Sequence, residues 1–244
     1  LRESGIDCKP CHYEHRVKER QWLYKVYKPD IVLGIGWWVD TPTIIADPQT
    51  FGLQPVPWLL ADGWVANYHK ILSNLPLVFT TSQWVKETYA RDGVDTTNFE
   101  VLHVGYDSKE FKPIPKSDPG VQEVRNMFGV KEREKMILTV GGDVTSKGAQ
   151  EMIRALAKID KEYPNWKYVC KSTSSDDARN HHAEESKLIK EVGLDPMKVV
   201  YVEDDFSKEF MPYLLNACDI YAAPSRLEGF GMVQLEAMAC GKPV

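Results

Sequence analysis

The sequence predicts an α/β architecture of parallel strands joined by helices, and three observations carry the prediction. Short apolar runs rich in β-branched residues recur along the chain, each short enough to be buried on both faces. Segments of helical period separate them. The two kinds alternate rather than cluster, which is the pattern that builds a parallel sheet through strand-helix-strand crossovers.

In chain order, strands are expected over 31–33, 77–80, 100–103, 136–140, 167–170, 199–202 and 220–223. Between them Met152, Ile153, Leu156 and Ile159 recur at three- and four-residue spacing, as do Phe210, Met211, Leu214 and Leu215. Each set reads as the core-facing stripe of a helix. Residues 111–120 hold Pro113, Pro115, Pro119 and Gly120, a composition that suits an extended connector. The chain is therefore divided near Pro113 into domains 1–113 and 114–244. Past that point helices and strands alternate as in an open, doubly wound sheet. The chain starts at Leu1, in what reads as the end of a helix, and stops at Val244, where an apolar strand should begin, so both domains are expected to be truncated.

With 244 residues, 43% of them hydrophobic, the chain can bury a substantial core. A formal charge of -5 gives no basic footprint for a polynucleotide, so no nucleic-acid partner is expected. No apolar run approaches the roughly 20 residues that span a bilayer. The expected location is the cytoplasm, a peripheral place at the inner membrane face being compatible with it. Five cysteines, an odd number scattered along the chain, do not form a disulfide framework. Cys8-Lys-Pro-Cys11-His12 matches a haem-attachment pattern, with His15 nearby. Haem attachment would need export and zinc would need further ligands, so neither cofactor nor metal is expected. Gly34-Ile-Gly36 is too incomplete for a dinucleotide fingerprint. Trp37 and Trp38 could either pack inside or offer flat apolar faces to a sugar ring.

The chemistry concentrates in Pro224-Ser-Arg-Leu-Glu-Gly-Phe-Gly-Met-Val-Gln-Leu-Glu-Ala-Met-Ala-Cys-Gly-Lys-Pro-Val244. It follows a strand, opens with turn formers and becomes a helix, with Val233, Leu235, Met238 and Ala239 as its packing residues. Gly241 and Pro243 then end it. Glu228 and the glycines thus lie at a helix entrance on the carboxyl side of a strand, the edge where open α/β sheets bind ligands. Gly229 and Gly231 leave first-turn N–H groups uncovered for an anionic or hydroxyl-rich ligand. Glu236 follows about one and a half turns into the helix and can accept hydrogen bonds from adjacent sugar hydroxyls.

Glu228 and Glu236 form an E-x7-E pattern within P-S-x-x-E-G-F-G-x-x-x-x-E-A-M-A-C-G-x-P-V. This string resembles the donor-site signature of the retaining GT-B glycosyltransferases of family 4. The resemblance implies two Rossmann-like doubly wound domains facing a cleft, with a nucleoside-diphosphate sugar held by the second. It implies that Glu228 contacts the donor sugar, that the amides of Gly229, Phe230 and Gly231 hold donor groups, and that Glu236 binds the nucleotide ribose.

A second element, Val140-Gly-Gly-Asp-Val-Thr-Ser-Lys-Gly148, is similar to the family's V-G-R-x-x-x-x-K-G. Lys147 matches its diphosphate-binding lysine, and Gly141 its glycine, while Gly142 replaces the usual arginine. A charge-assisted contact to phosphate contributes roughly 1.5–3 kcal/mol, so either another basic residue supplies the charge, with Lys171 a candidate, or diphosphate stabilisation is weakened. The passages 77–84 and 101–113 also resemble the family, and Asp62 falls near its sugar-facing histidine. The implied activity is transfer of a hexose to the hydroxyl of a saccharide, lipid-linked or small-molecule acceptor, with retained configuration and without a metal. Two other readings remain open: a nucleotide-sugar epimerase on the same scaffold, and a catalytically silent nucleotide-sugar-binding module.

Overall fold

The structure, a computed structural model, describes residues 5–10, 17–61, 63–141, 147–172, 176–204 and 206–244, with 176–181 as backbone alone. Two compact units emerge, Leu1–His103 and Val104–Val244. The division comes before the expected boundary near Pro113 because the connector packs onto the second unit. Phe111 is buried in that unit's core. Asn216 Nδ2 donates to the Lys112 carbonyl, and its Oδ1 accepts from the Ile114 N–H.

In the first unit, α1 (Val17–Tyr27) precedes β1 (Ile31–Gly36), a short irregular helical stretch and α2 (Asp47–Thr50). Then follow β2 (Gln54–Leu59), α3 (His69–Ser73), β3 (Val78–Thr80), α4 (Gln83–Arg91) and β4 (Phe99–Val101). The four strands pair in the order β1-β2-β3-β4, all parallel. Ile45, Leu59, Leu72, Val78, Val85, Tyr89 and Phe99 fill its core. Ser82 caps α4 by accepting from the Val85 N–H at 3.2 Å.

β2 escaped the sequence reading because Pro55 and Pro57 interrupt it, and prolines belong at sheet edges rather than in a central strand. Its tolerance has a geometric cause. The Leu60 N–H donates to Gly36 of β1, while the Leu59 carbonyl accepts from Thr81 beyond β3. Odd-numbered residues of β2 therefore turn toward β3, and β3 pairs only with Trp58 and Leu59, past both prolines.

The second unit runs α5 (Pro119–Met127), β5 (Lys135–Val140), α6 (Ala149–Ile159), β6 (Trp166–Lys171) and α7 (Asp176–Glu191). β7 (Val199–Val202), α8 (Phe210–Ala217), β8 (Ile220–Tyr221) and α9 (Met232–Ala239) complete it. Its parallel sheet has the order β7-β6-β5-β8. Alternation along the strands feeds two separate cores. Met136, Leu138 and Val169 meet Val121, Leu214, Leu215 and Ala237 on one face. Ile137, Tyr168 and Cys170 meet Ile153, Leu156, Leu188 and Ile189 on the other. Helices on both faces make this the doubly wound sheet that the sequence predicted.

Within α9 the packing face is rotated from the expected one. Ala237 and Cys240 are buried and Val233 and Ala239 lean on them, whereas Met238 is 54% exposed. Val233, Ala237 and Cys240 thus form the inward side of this segment, and α9 packs beside α8.

Candidate functional site

The strand order locates a site before any side chain is considered. From β5 the chain moves outward to β6 and β7, then returns to place β8 on the other side of β5. The connections leaving β5 and β8 therefore diverge, opening a crevice at their carboxyl ends. Lys147 lies on the first connection and Glu228 on the second.

Gly148 brings those connections together. It begins α6 in the left-handed region, at φ +72°, and a Cβ there would stand 2.1 Å from the Pro224 carbonyl oxygen. Only a residue without a side chain permits that approach. The Lys-Gly pair thus has a purpose in packing: Gly148 seats one loop on the other, and Lys147 reaches across.

Lys147 Nζ donates to Glu228 Oε1 at 2.7 Å. The same oxygen accepts from Ser225 Oγ at 2.8 Å and from Gln234 Nε2 at 3.2 Å. Partial burial pushes the Glu228 carboxyl up, but the hydrogen bonds from Lys147, Ser225 and Gln234, with the lysine charge, overcome this and hold it below the ordinary glutamate range. It is an ionised carboxylate at neutral pH. Among the described residues these three donors converge on one carboxylate oxygen, Oε1.

Gly231, at φ +87°, starts α9 in a conformation that favours glycine, so the chain can turn sharply from Glu228 into the helix. Gly229 and Phe230 form the intervening bend, both partly buried. The first-turn N–H groups have no carbonyl partner within the helix, and the positive end of its dipole lies on the connection that leaves β8. One turn on, Glu236 is half-buried. Burial raises its carboxyl, Glu110 adds to the rise, and Lys208 opposes it. Gly141, at φ +82°, donates its N–H to the Lys171 carbonyl at 2.7 Å. The position of its missing side chain lies 3.7 Å from Lys147 Cε.

Of the residues expected from the sequence, the structure gathers Gly141, Lys147, Glu228, Gly229, Phe230, Gly231 and Glu236 at this edge. Lys171 ends the neighbouring strand, but its ammonium donates to the Ser172 carbonyl at 2.6 Å and lies 5.8 Å from the Phe206 ring centroid. No described contact joins it to Lys147 or Glu228. Gly142 and Asp62 lie outside the described residues, as do Cys11, His12 and His15. Sequence reasoning gave no role to Ser225, Gln234 or the steric part of Gly148. Ser225 stood inside the motif, but only the helix register shows that Gln234 turns back to Glu228. Among the described residues no group of three or more His, Cys, Asp or Glu side chains is placed to hold a metal, and no helix is long and apolar enough to cross a membrane.

A family model described as "Glycosyl transferases group 1" matches residues 121–244, from the first turn of α5 to the last residue. The chain belongs to this family. Among curated relatives, D-inositol 3-phosphate glycosyltransferase of Corynebacterium jeikeium is 31% identical over 172 residues, covering 69% of this chain and 40% of that protein. The enzyme of the same name from Mycobacterium marinum is 27% identical over 168 residues, with 69% of this chain and 34% of the relative covered. The chain thus spans less than half the length of these two relatives. Among solved structures, sucrose-phosphate synthase from Thermosynechococcus elongatus superposes with a TM-score of 0.75 at 23% identity, over 93% of this chain and 58% of that one. Anabaena HepE, in complex with UDP and glucose, gives 0.75 at 20% identity, over 93% and 61%. At such identities the likeness establishes the fold, which is the GT-B class expected for the family.

Proposed function

We propose that the protein transfers a hexose from a nucleoside-diphosphate sugar to an acceptor hydroxyl, with retention of anomeric configuration and without a metal ion. The observation that carries this reading is the Lys147–Glu228 pair at the entrance of α9. A lysine ammonium has three N–H donors, and with one on Glu228 two remain for diphosphate oxygens. Together with the helix dipole they stabilise the charge that develops as the diphosphate departs. Glu228 Oε2 accepts from the donor sugar's hydroxyls, and Glu236 accepts from the ribose. The bond from the anomeric carbon to the diphosphate oxygen breaks and the acceptor oxygen bonds to that carbon on the same face. The acceptor proton passes to the departing phosphate oxygen.

The names of the curated relatives support glycosyl transfer, and the UDP and glucose held by HepE make UDP-glucose the first donor to try. Lys171 enters the reading as the cation that could swing to the diphosphate in place of the arginine absent at position 142, and Asp62 as a residue of the acceptor side. The test incubates the full chain with UDP-, GDP- and ADP-glucose, with EDTA present, and saccharide, lipid-linked and inositol phosphate acceptors. Free nucleoside diphosphate with a new glycoside of unchanged anomeric configuration is expected. An altered nucleotide sugar without glycoside would make the protein an isomerase, and bound but unturned donor across all acceptors would make it a binding module.

A further inference from the structure

The first unit holds an aromatic cluster that the donor chemistry does not use. Trp38 follows β1 and Trp64 follows β2, so both stand at the carboxyl edge of a parallel sheet, where such sheets bind ligands. Trp38 packs against that unit's core together with Tyr68. Ring centroids lie 5.3 Å apart for Trp38 and Trp64 and 6.5 Å apart for Trp38 and Tyr68. Trp64 itself is 57% exposed.

The loop that presents Trp64 is fixed on both sides of it. Arg91 Nη2 donates to the Gly63 carbonyl at 2.5 Å, and the Val65 N–H donates to Asp92 Oδ2 at 2.6 Å. Tyr89 Oη donates to the Leu60 carbonyl at 3.0 Å, and Val65 is buried next to the exposed indole. Tyr68 starts α3 at φ 65°, a left-handed conformation that costs a residue with a side chain of this size on the order of 1–3 kcal/mol and persists only where the surroundings enforce it. Trp64 is thus held between hydrogen bonds at Gly63 and Val65 and presents its indole to water.

We infer that Trp64, backed by Trp38, which in turn packs on Tyr68, is a fixed platform on which a pyranose ring of the acceptor stacks, so that the acceptor is a saccharide. The flat indole matches the apolar C–H face of a pyranose. The carboxamide of Asn67 and the phenol of Tyr68, next along the loop, are of the kind that hydrogen-bonds the hydroxyl rim. A lipid chain would instead call for a continuous apolar trough. This inference rests on the glycosyltransferase reading.

The test reads binding directly, so it is decided even if no turnover is found. Ligand-observed saturation-transfer NMR and calorimetry on the full chain would use methyl glucopyranosides, galactopyranosides and mannopyranosides with their disaccharides. Inositol 1-phosphate and phosphocholine detergent serve as non-pyranose probes. At least one saccharide should bind, with its ring protons saturated, and Trp64→Ala should raise its Kd about tenfold, the loss of one aromatic packing contact. Trp64→Phe should fall between, and Trp22→Ala, which removes an exposed indole on α1, should bind as the parent does. A Kd unmoved in Trp64→Ala, or binding of only the non-pyranose probes or of nothing, would overturn the inference. Failure of the donor reading has a separate signature, UDP affinity that ignores Lys147.

Discussion

Lys147 and Glu228, 81 residues apart in sequence, share a 2.7 Å hydrogen bond at the carboxyl ends of β5 and β8. The pair joins the two connections that diverge at the switch in strand order. Lys147→Met should leave Glu228 held by neutral donors only and deprive the diphosphate of its cation. The expected loss in kcat/KM is about 10- to 100-fold, the equivalent of one charge-assisted hydrogen bond. Lys147→Arg should recover little, since a planar fork does not replace a point charge on this stem.

Gly148→Ala should unfold the second unit more readily than any exposed substitution. The methyl would overlap the Pro224 carbonyl oxygen, and φ +72° is itself unfavourable for alanine. A destabilisation of about 2 kcal/mol or more is expected, read as a lower urea midpoint at constant m-value.

Acid should act on the two glutamates in opposite senses. The folded Glu228 carboxyl lies below its ordinary value of 4.5. The stability it contributes is complete above that value and is lost as pH falls through the folded one. Glu236 is raised, so its contribution is present below 4.5 and lost as pH rises through the folded value. Glu228→Gln should lower Tm at neutral pH and converge with the parent in acid. Glu236→Gln should match the parent in acid and equal or exceed it at neutral pH. Tm profiles from pH 3 to pH 8 check both.

Ser225→Ala and Gln234→Leu should each loosen Glu228 without removing its charge partner. Both substitutions withdraw a hydrogen bond that favours the ionised form, so the Glu228 carboxyl should rise. Carboxyl-detected NMR titration should show the rise. In kinetics the acid limb should move to higher pH, which a merely structural defect would not do.

Arg125 should prove to be a structural residue of the second unit. It is 2% exposed, donating to the Ala217 and Glu134 carbonyls and to Asp219 Oδ2, while Asp219 also accepts from the Met136 N–H. Arg125→Met leaves Asp219 to Lys116 and Lys135 but strands the Ala217 and Glu134 carbonyls, and should cost about 2 kcal/mol in chemical denaturation.

How much of this was legible in the sequence varies with the kind of signal. The strands of the second unit stood out because a parallel sheet covered on both faces writes continuous apolar runs. β2 did not, since a strand with Pro55 and Pro57 is explained only once its neighbour is known to pair beyond them. The domain boundary was placed late because proline content says where a chain is extended, not which core receives Phe111. Glu228 and Glu236 were found through a long motif and Lys147 through a short one, but spacing alone does not say that Lys147 and Glu228 touch. Gln234 and Arg125 gave no sequence signal, because polar residues gain these roles only through tertiary neighbours.

In the proposed donor complex the two ends of the pair divide the ligand, diphosphate to Lys147 and sugar to Glu228. Calorimetric titration of UDP and of UDP-glucose into the parent, Lys147→Met and Glu228→Gln tests this most directly. Lys147→Met should weaken both ligands by about tenfold or more, whereas Glu228→Gln should weaken UDP-glucose and leave UDP nearly unchanged. Equal affinities of all three proteins for both ligands would contradict that division.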